Sequence, residues 1–266
     1  DEQGRRTVYP ELNLWRSFEV FAASGADLAF VALMGDNALS VIDTQTRREV
    51  SRLALGESPI QALASLDGSQ LFVSNLNSDD VFVVDTATLQ IIQRLETGSR
   101  PLDMVLSLDG RTVFVSNSEG QSLSALDVAT GKIRHVPVPL PSRSPYGIAA
   151  TEDRLFVTDI DGGQVLALDE EGNITAGVAI DGRPRSLALA PDGKRLYVTS
   201  FSNELLTVID PETVLIERRI RLPVAGTFAV AVSPDGLKVY TTSHTDGAVV
   251  ILNANDGSIR GRTEVG

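Results

Sequence analysis

One aromatic residue returns along the chain at an almost constant interval, and that interval limits the possible folds more than any other feature. It sits in the pattern apolar-aromatic-Val-small at Phe30, Phe72, Phe114, Phe156, Tyr197 and Tyr240, with spacings of 42, 42, 42, 41 and 43. An acid follows thirteen residues after the first five, at Asp43, Asp85, Asp127, Asp169 and Asp210, and Asn253 takes its place in the last copy. A proline recurs upstream at Pro59, Pro101, Pro145 and Pro184. Six copies at this period restrict the chain to a solenoid or a propeller.

The content of each copy separates the two. The fifth holds four short apolar stretches: Leu187-Ala188-Leu189, Arg195 to Thr199, Leu205 to Ile209, and Ile216 to Leu222. Each is strand-length and rich in strand formers. Turn residues fill the gaps: Pro191-Asp192-Gly193-Lys194, Asn203-Glu204 and Asp210-Pro211-Glu212-Thr213. No stretch has a 3.6-residue period of helical length. The pattern predicts an all-β, six-bladed β-propeller with four antiparallel strands, A to D, per blade, since radial repetition hides the sheet edges. The expected boundaries are a single propeller over 15–266, with blades at about 15–57, 58–99, 100–141, 142–182, 183–224 and 225–266. Residues 1–14 form an N-terminal extension, in which Thr7-Val8-Tyr9 either adds a ring-closing strand or lies across a face. Trp15 is read as a packing residue.

Leu196-Tyr197-Val198-Thr199-Ser200 and Val239-Tyr240-Thr241-Thr242-Ser243 resemble the YVTN β-propeller repeat. So do the preceding Ala190-Pro191-Asp192-Gly193-Lys194 and Val232-Ser233-Pro234-Asp235-Gly236, and the following Val208-Ile209-Asp210. The resemblance runs from about Arg16 to Gly266. It implies a surface-layer, extracytoplasmic or lactonase-like propeller, hence a periplasmic, cell-surface or secreted protein. Many members of that group have seven blades, where this chain has six repeats. A six-bladed lactonase family with a calcium-type metal in its channel is also similar in arrangement, and its inner-strand glutamate would fall near Glu19.

Charge and composition exclude several classes. The net charge is −12, from 35 acidic and 23 basic residues, so neither a nucleic-acid backbone nor membrane insertion is expected to dominate binding. No apolar run reaches the length of a membrane span. Cysteine is absent, which removes disulfides, thiolate nucleophiles and thiolate metal ligands. The opening Asp1-Glu2-Gln3-Gly4-Arg5-Arg6 is compatible with a mature end after cleavage or with an arbitrary boundary. The chain stops where a repeat stops, which admits a role as part of a larger assembly.

The loops divide into two faces. The A–B hairpins and C–D turns repeat from copy to copy, as in Leu66-Asp67-Gly68 and Asp85-Thr86-Ala87-Thr88, and are read as structural Asx turns. The D–A and B–C loops vary, and individual function in a repeat protein gathers on such a face. Where strand A begins, the blades carry Glu19, Gln61, Asp103, Gly147, Ser186 and Ala229, preceded by Phe18, Ile60, Leu102, Tyr146, Arg185 and Phe228. Glu19, Gln61, Asp103, Tyr146, Arg185 and Phe228 are therefore the expected ligand-binding residues at the channel mouth. Glu19, Asp103, Asn117 and Asp159 offer oxygen ligands of the kind Ca²⁺ prefers, with Gln61 and Asn75 beside them; no cofactor is required by the pattern. The alternative for these groups is solvation, or pairing with Arg100, Arg143, Arg183 and Arg185. His244, on the last B–C loop, and Arg185 are the candidates for catalysis; His135 falls on an outer strand. The expected function is non-catalytic binding of a protein, glycan or small molecule on the variable face. The alternative is a metal-dependent lactonase- or lyase-type enzyme at the channel mouth.

Overall fold

The computed structural model describes residues 17–22, 28–138 and 144–265, with side chains described from residue 28 onward. Thr7-Val8-Tyr9, Trp15 and Arg143 lie outside the described residues. The described chain is all-β, with six blades of four antiparallel strands in a propeller arrangement. Contacts divide it into two compact units, Asp1–Leu102 and Asp103–Gly266.

The first unit holds blade one, β1 (Ser17–Ala22), β2 (Leu28–Leu33), β3 (Ala38–Asp43) and β4 (Arg48–Ala54). Blade two follows as β5 (Pro59–Ala64), β6 (Gln70–Asn75), β7 (Asp80–Asp85) and β8 (Gln90–Glu96). The third blade is β9 (Pro101–Leu106), β10 (Thr112–Asn117), β11 (Ser122–Asp127) and β12 (Ile133–Pro137). The fourth is β13 (Pro145–Ala150), β14 (Leu155–Asp159), β15 (Gln164–Leu168) and β16 (Ile174–Ala179). The fifth is β17 (Pro184–Leu189), β18 (Leu196–Ser200), β19 (Leu205–Asp210) and β20 (Leu215–Arg221). The sixth is β21 (Thr227–Val232), β22 (Lys238–Ser243), β23 (Ala248–Asn253) and β24 (Ile259–Glu264).

Blades stack face on face, so the middle strands are buried on both sides and read as unbroken apolar runs rather than as alternation. In the first unit Phe30, Leu39 and Val41 of blade one pack with Leu71, Val73 and Val84 of blade two. In the second unit three such layers follow. Phe114 and Leu123 meet Ile148 and Val157; Phe156 and Val165 meet Leu196 and Val198; Tyr197 and Leu206 meet Val239 and Val250. In four copies the repeating aromatic, Phe30, Phe114, Phe156 or Tyr197, sits in one of these layers, and Tyr197 also donates its buried hydroxyl to the Ala254 carbonyl at 3.1 Å.

The repeated acids close turns, as their spacing predicts. The Asp85 carboxylate accepts from the Ala87 and Thr88 amides and the Thr88 hydroxyl. Asp43 and Asp127 likewise accept from the amide and hydroxyl of Thr46 and Thr130, Asp169 from the backbone and side-chain amides of Asn173, and Asp210 from the Glu212 and Thr213 amides. In the A–B hairpins Asp67 accepts from the Ser65 and Ser69 hydroxyls and the Ser69 amide. Gly68 beside it has φ 72°, which an L side chain resists.

A second repeating device joins neighbouring blades. In β5, β13, β17 and β21 the register slips by one residue just after the strand begins, a β-bulge. The slip strands an amide with no ladder partner. A hydroxyl from the second strand supplies one: Gln61 donates to Ser74, Gly147 to Thr158, Ser186 to Thr199 and Ala229 to Thr242. The same hydroxyl then donates onward to the next blade. Thr158 reaches the Arg185 carbonyl at 2.9 Å and Thr199 the Phe228 carbonyl at 3.1 Å, while Ser116 bonds the Tyr146 carbonyl.

Two predictions follow from these bonds. Thr158→Val keeps the shape and removes both bonds in a fully buried site, so unfolding in denaturant should lose about 1–3 kcal/mol. The control is Thr207, also buried, whose hydroxyl has no partner among the described residues; Thr207→Val should be neutral or stabilising. Second, the Ser65 hydroxyl and then the Ser69 amide and hydroxyl hold the Asp67 pKa down from 3.8 to about 2. A depressed carboxylate contributes stability above its unfolded pKa and loses it as pH falls through the folded value. Melting temperature should therefore drop between about pH 4 and about pH 2, less steeply in Asp67→Asn.

Candidate functional site

The bulge that needs the hydroxyl also aims the side chains. In the second unit the first bulge residue is Tyr146 in β13, Arg185 in β17 and Phe228 in β21. Their carbonyls are the ones held by Ser116, Thr158 and Thr199, so three equivalent positions in successive blades are fixed by one kind of bond. The Arg185 guanidinium carbon lies 4.5 Å from the Tyr146 ring centroid and 3.3 Å from that of Phe228. Phe201, exposed on the loop after β18, stands 6.0 Å away. His244 stacks on Phe228 at 5.7 Å and 26°. Cation–π contact of this kind stabilises by about 0.5–1 kcal/mol when exposed and about 2 when desolvated.

Desolvation by this packing lowers the Arg185 pKa, while the Tyr146 hydroxyl and the charge of Asp103 act in the opposite direction. Asp103 is held in place: its carboxylate accepts from the Met104 amide at 3.1 Å and the Ile148 amide at 3.0 Å. Gly147, between Tyr146 and Ile148, is obligatory, because a Cβ there would overlap the Arg185 carbonyl oxygen. Beside Phe201 a groove of about 530 Å³ opens among Asn203, Glu204, Arg221, Gly226 and Thr245, with Arg221 paired to Glu204 at 2.9 Å. All these residues come from D–A and B–C loops or the strand ends beside them. The two loop sets lie on one face, as shown by the bonds from Arg183 N to the Ser202 hydroxyl and from Ala225 N to Asp246.

The other expected site residues fall as follows. Asp103, Tyr146, Arg185, Phe228 and His244 come together in the second unit. Glu19 lies on β1 and pairs in register with Ala32; Gln61 is half-buried on β5 with its amide on Ser74. Both belong to the first unit. Asn117 is buried and donates to the Ser122 and Ser124 hydroxyls. Asp159 is buried and accepts from the Gly162 amide and the Gln164 side chain. Asn75 likewise donates to Asp80. These three brace the B–C hairpins of their own blades. Among the described residues no three or more His, Cys, Asp or Glu side chains gather as a metal group. His135 is exposed on β12, 3.4 Å from the Ser124 hydroxyl. Phe201 was not foreseen, because one aromatic in one variable loop leaves no periodic trace. The hydroxyl series does leave one: a Ser or Thr two residues after the aromatic in copies two to six.

Gly147→Ala should cost about 1–3 kcal/mol by overpacking and displace the Arg185 backbone. Gly261→Ala, where no atom lies within 4 Å, should leave thermal unfolding unchanged.

No curated protein matches the sequence. Solved structures of similar fold include hydrazine synthase of Kuenenia stuttgartiensis, with TM-score 0.79 and 20% identity over 95% of this chain and 80% of that one. A streptogramin B lyase superposes with TM-score 0.81 and 14% identity over 94% and 83%. Virginiamycin B lyase from Staphylococcus aureus gives 0.80 and 15% over 93% and 84%. At these identities the likeness establishes the propeller fold. The family described as outer membrane protein assembly factor BamB matches residues 35–263, most of the sequence, and the chain belongs to that family.

Proposed function

We propose that this protein is a non-catalytic binding propeller whose variable loop face takes a protein, glycan or small molecule. The observation that carries the reading is the cation–aromatic cluster of Arg185, Tyr146, Phe228 and Phe201 opening beside a groove on that face. Aromatic residues and arginine are the groups that dominate binding energy at interfaces. The family is named for a factor in outer membrane protein assembly, which favours a protein partner, a role within a larger assembly, and a periplasmic, cell-surface or secreted location. The YVTN-like repeats fit the same setting.

The test is a panel of peptides, glycans and small metabolites screened by saturation-transfer NMR. Ligands should weaken at least tenfold with Phe201→Ser or Phe228→Ala and be unaffected by Leu108→Ser, at a 60% exposed hairpin tip away from the variable loops. Ligands indifferent to the loop-face changes but sensitive to Leu108→Ser would overturn it.

One observation favours a second reading, a lactonase- or lyase-type enzyme. His244, an exposed base, stacks on Phe228 within the same cluster, and two proteins of like fold are named as streptogramin-type lyases. Ca²⁺ is the metal proposed in that reading, with Asp103, whose carboxylate accepts from the Met104 and Ile148 amides, as an oxygen ligand. A streptogramin-type cyclic ester should then be opened by the wild type and not by His244→Gln. Melting should rise with millimolar calcium and fall with chelator. No turnover and identical melting curves would remove this reading.

A further inference from the structure

Arg185 is unusual among the arginines of this chain. In a protein of net charge −12 other arginines near this face find a carboxylate: Arg183 pairs with Asp161 at 2.8 Å, Arg219 with Asp181 at 2.7 Å and Arg221 with Glu204 at 2.9 Å. Arg185 has no carboxylate within 4 Å among the described residues, although it is half-buried and its neighbours on the loop face are acid-rich. Its planar surface is instead flanked by Tyr146 and Phe228 from the blades on either side. None of its nitrogens is among the buried atoms without a partner, so those not meeting the Tyr146 hydroxyl reach solvent. A guanidinium whose contacts are rings rather than acids keeps an N–H edge, the fork that matches a carboxylate with two parallel bonds. Asp103 adds its charge from beyond ion-pair range, its carboxylate held by the Met104 and Ile148 amides. Phe201, exposed at 6.0 Å from the guanidinium, supplies an apolar wall for the ring of a ligand, and the mostly polar groove beside it leaves room for its substituents. A groove of about 530 Å³ lies in the size range of small-molecule sites.

We infer that Arg185 is an anion-recognition residue, and that the ligand of this face is a small aromatic carboxylate. Its carboxylate takes the in-plane edge of Arg185 and its ring lies against Phe201. This rests on the binding reading above and narrows it to a ligand class. The arrangement explains why the arginine was left without an acid: an internal partner would fill the edge that the ligand needs. It also explains the ring contacts, since a guanidinium already held against Tyr146 and Phe228 loses little freedom when the ligand arrives.

The experiment uses the full chain with benzoate as probe and benzamide, its neutral isostere, as control, followed by amide-resolved NMR titration. Benzoate should bind saturably with shifts at Arg185, Phe201 and Phe228, and benzamide at least tenfold more weakly. Arg185→Gln should abolish benzoate binding while still folding, with a cooperative melt and a dispersed amide spectrum. Arg185→Lys, which keeps charge and loses the planar fork, should weaken it at least tenfold. Equal binding of benzoate and benzamide, or benzoate binding that survives Arg185→Gln, would overturn the inference. If the panel yields ligands that depend on Phe201 while benzoate does not bind, the ligand class is wrong and the binding reading stands. If no ligand of any class engages the loop face, both fall.

Discussion

The bond that the functional face depends on is made by a side-chain hydroxyl at the middle of a blade's second strand. A bulge in the first strand leaves an amide facing no carbonyl, in an interior where an unpaired donor costs about 1–3 kcal/mol. Serine and threonine resolve this because one oxygen both accepts and donates. Thr158 accepts from Gly147 in its own blade and donates to Arg185 in the next, and Thr199 does the same between Ser186 and Phe228. One buried atom thus satisfies the bulge and ties two blades together. Since the tied carbonyl belongs to the residue whose side chain is re-aimed, the direction of that side chain is set by the same bond.

The electrostatics of the site follow from that placement. A bulged inner-strand position in blades four, five and six carries Tyr, Arg and Phe, so the cation arrives between two rings rather than beside an acid. Elsewhere on the face, long flexible arginines swing to loop carboxylates, as Arg183 does to Asp161. Arg185 starts from a clamped backbone, and the close contact with Phe228 holds it at the rings. Gly147 is the space this requires, since any side chain there would meet the Arg185 carbonyl.

The same scaffold serves lyases and a hydrazine synthase at 14–20% identity, so shared architecture says little about chemistry. In this chain the variable loops carry what the repeats do not share. Here their content is a cation, four rings and an adjoining groove, a composition suited to recognition. Family membership rests on the repeat architecture over residues 35–263 and leaves the identity of the ligand to the loops.

The fold was legible because it is written six times. The 42-residue period, the aromatic and the Asp thirteen residues later each answer to one packing or turn requirement, and repetition raises each above chance. Tyr146, Arg185 and Phe228 could be picked as equivalent positions for the same reason. Their neighbours could not. Asn117 and Asp159 looked like free oxygen ligands in sequence, yet each is turned inward to brace a hairpin, because a buried polar group takes the nearest partner. Phe201 and His244 join the cluster from loops that occur once, so no period marks them. The sequence by itself determined the blade, its turns and its count, since these rest on local spacing repeated along the chain. Only the tertiary structure decided that an arginine, left without an acid, would stand between two rings, because that depends on blades about 40 residues apart being stacked and bonded at one carbonyl each.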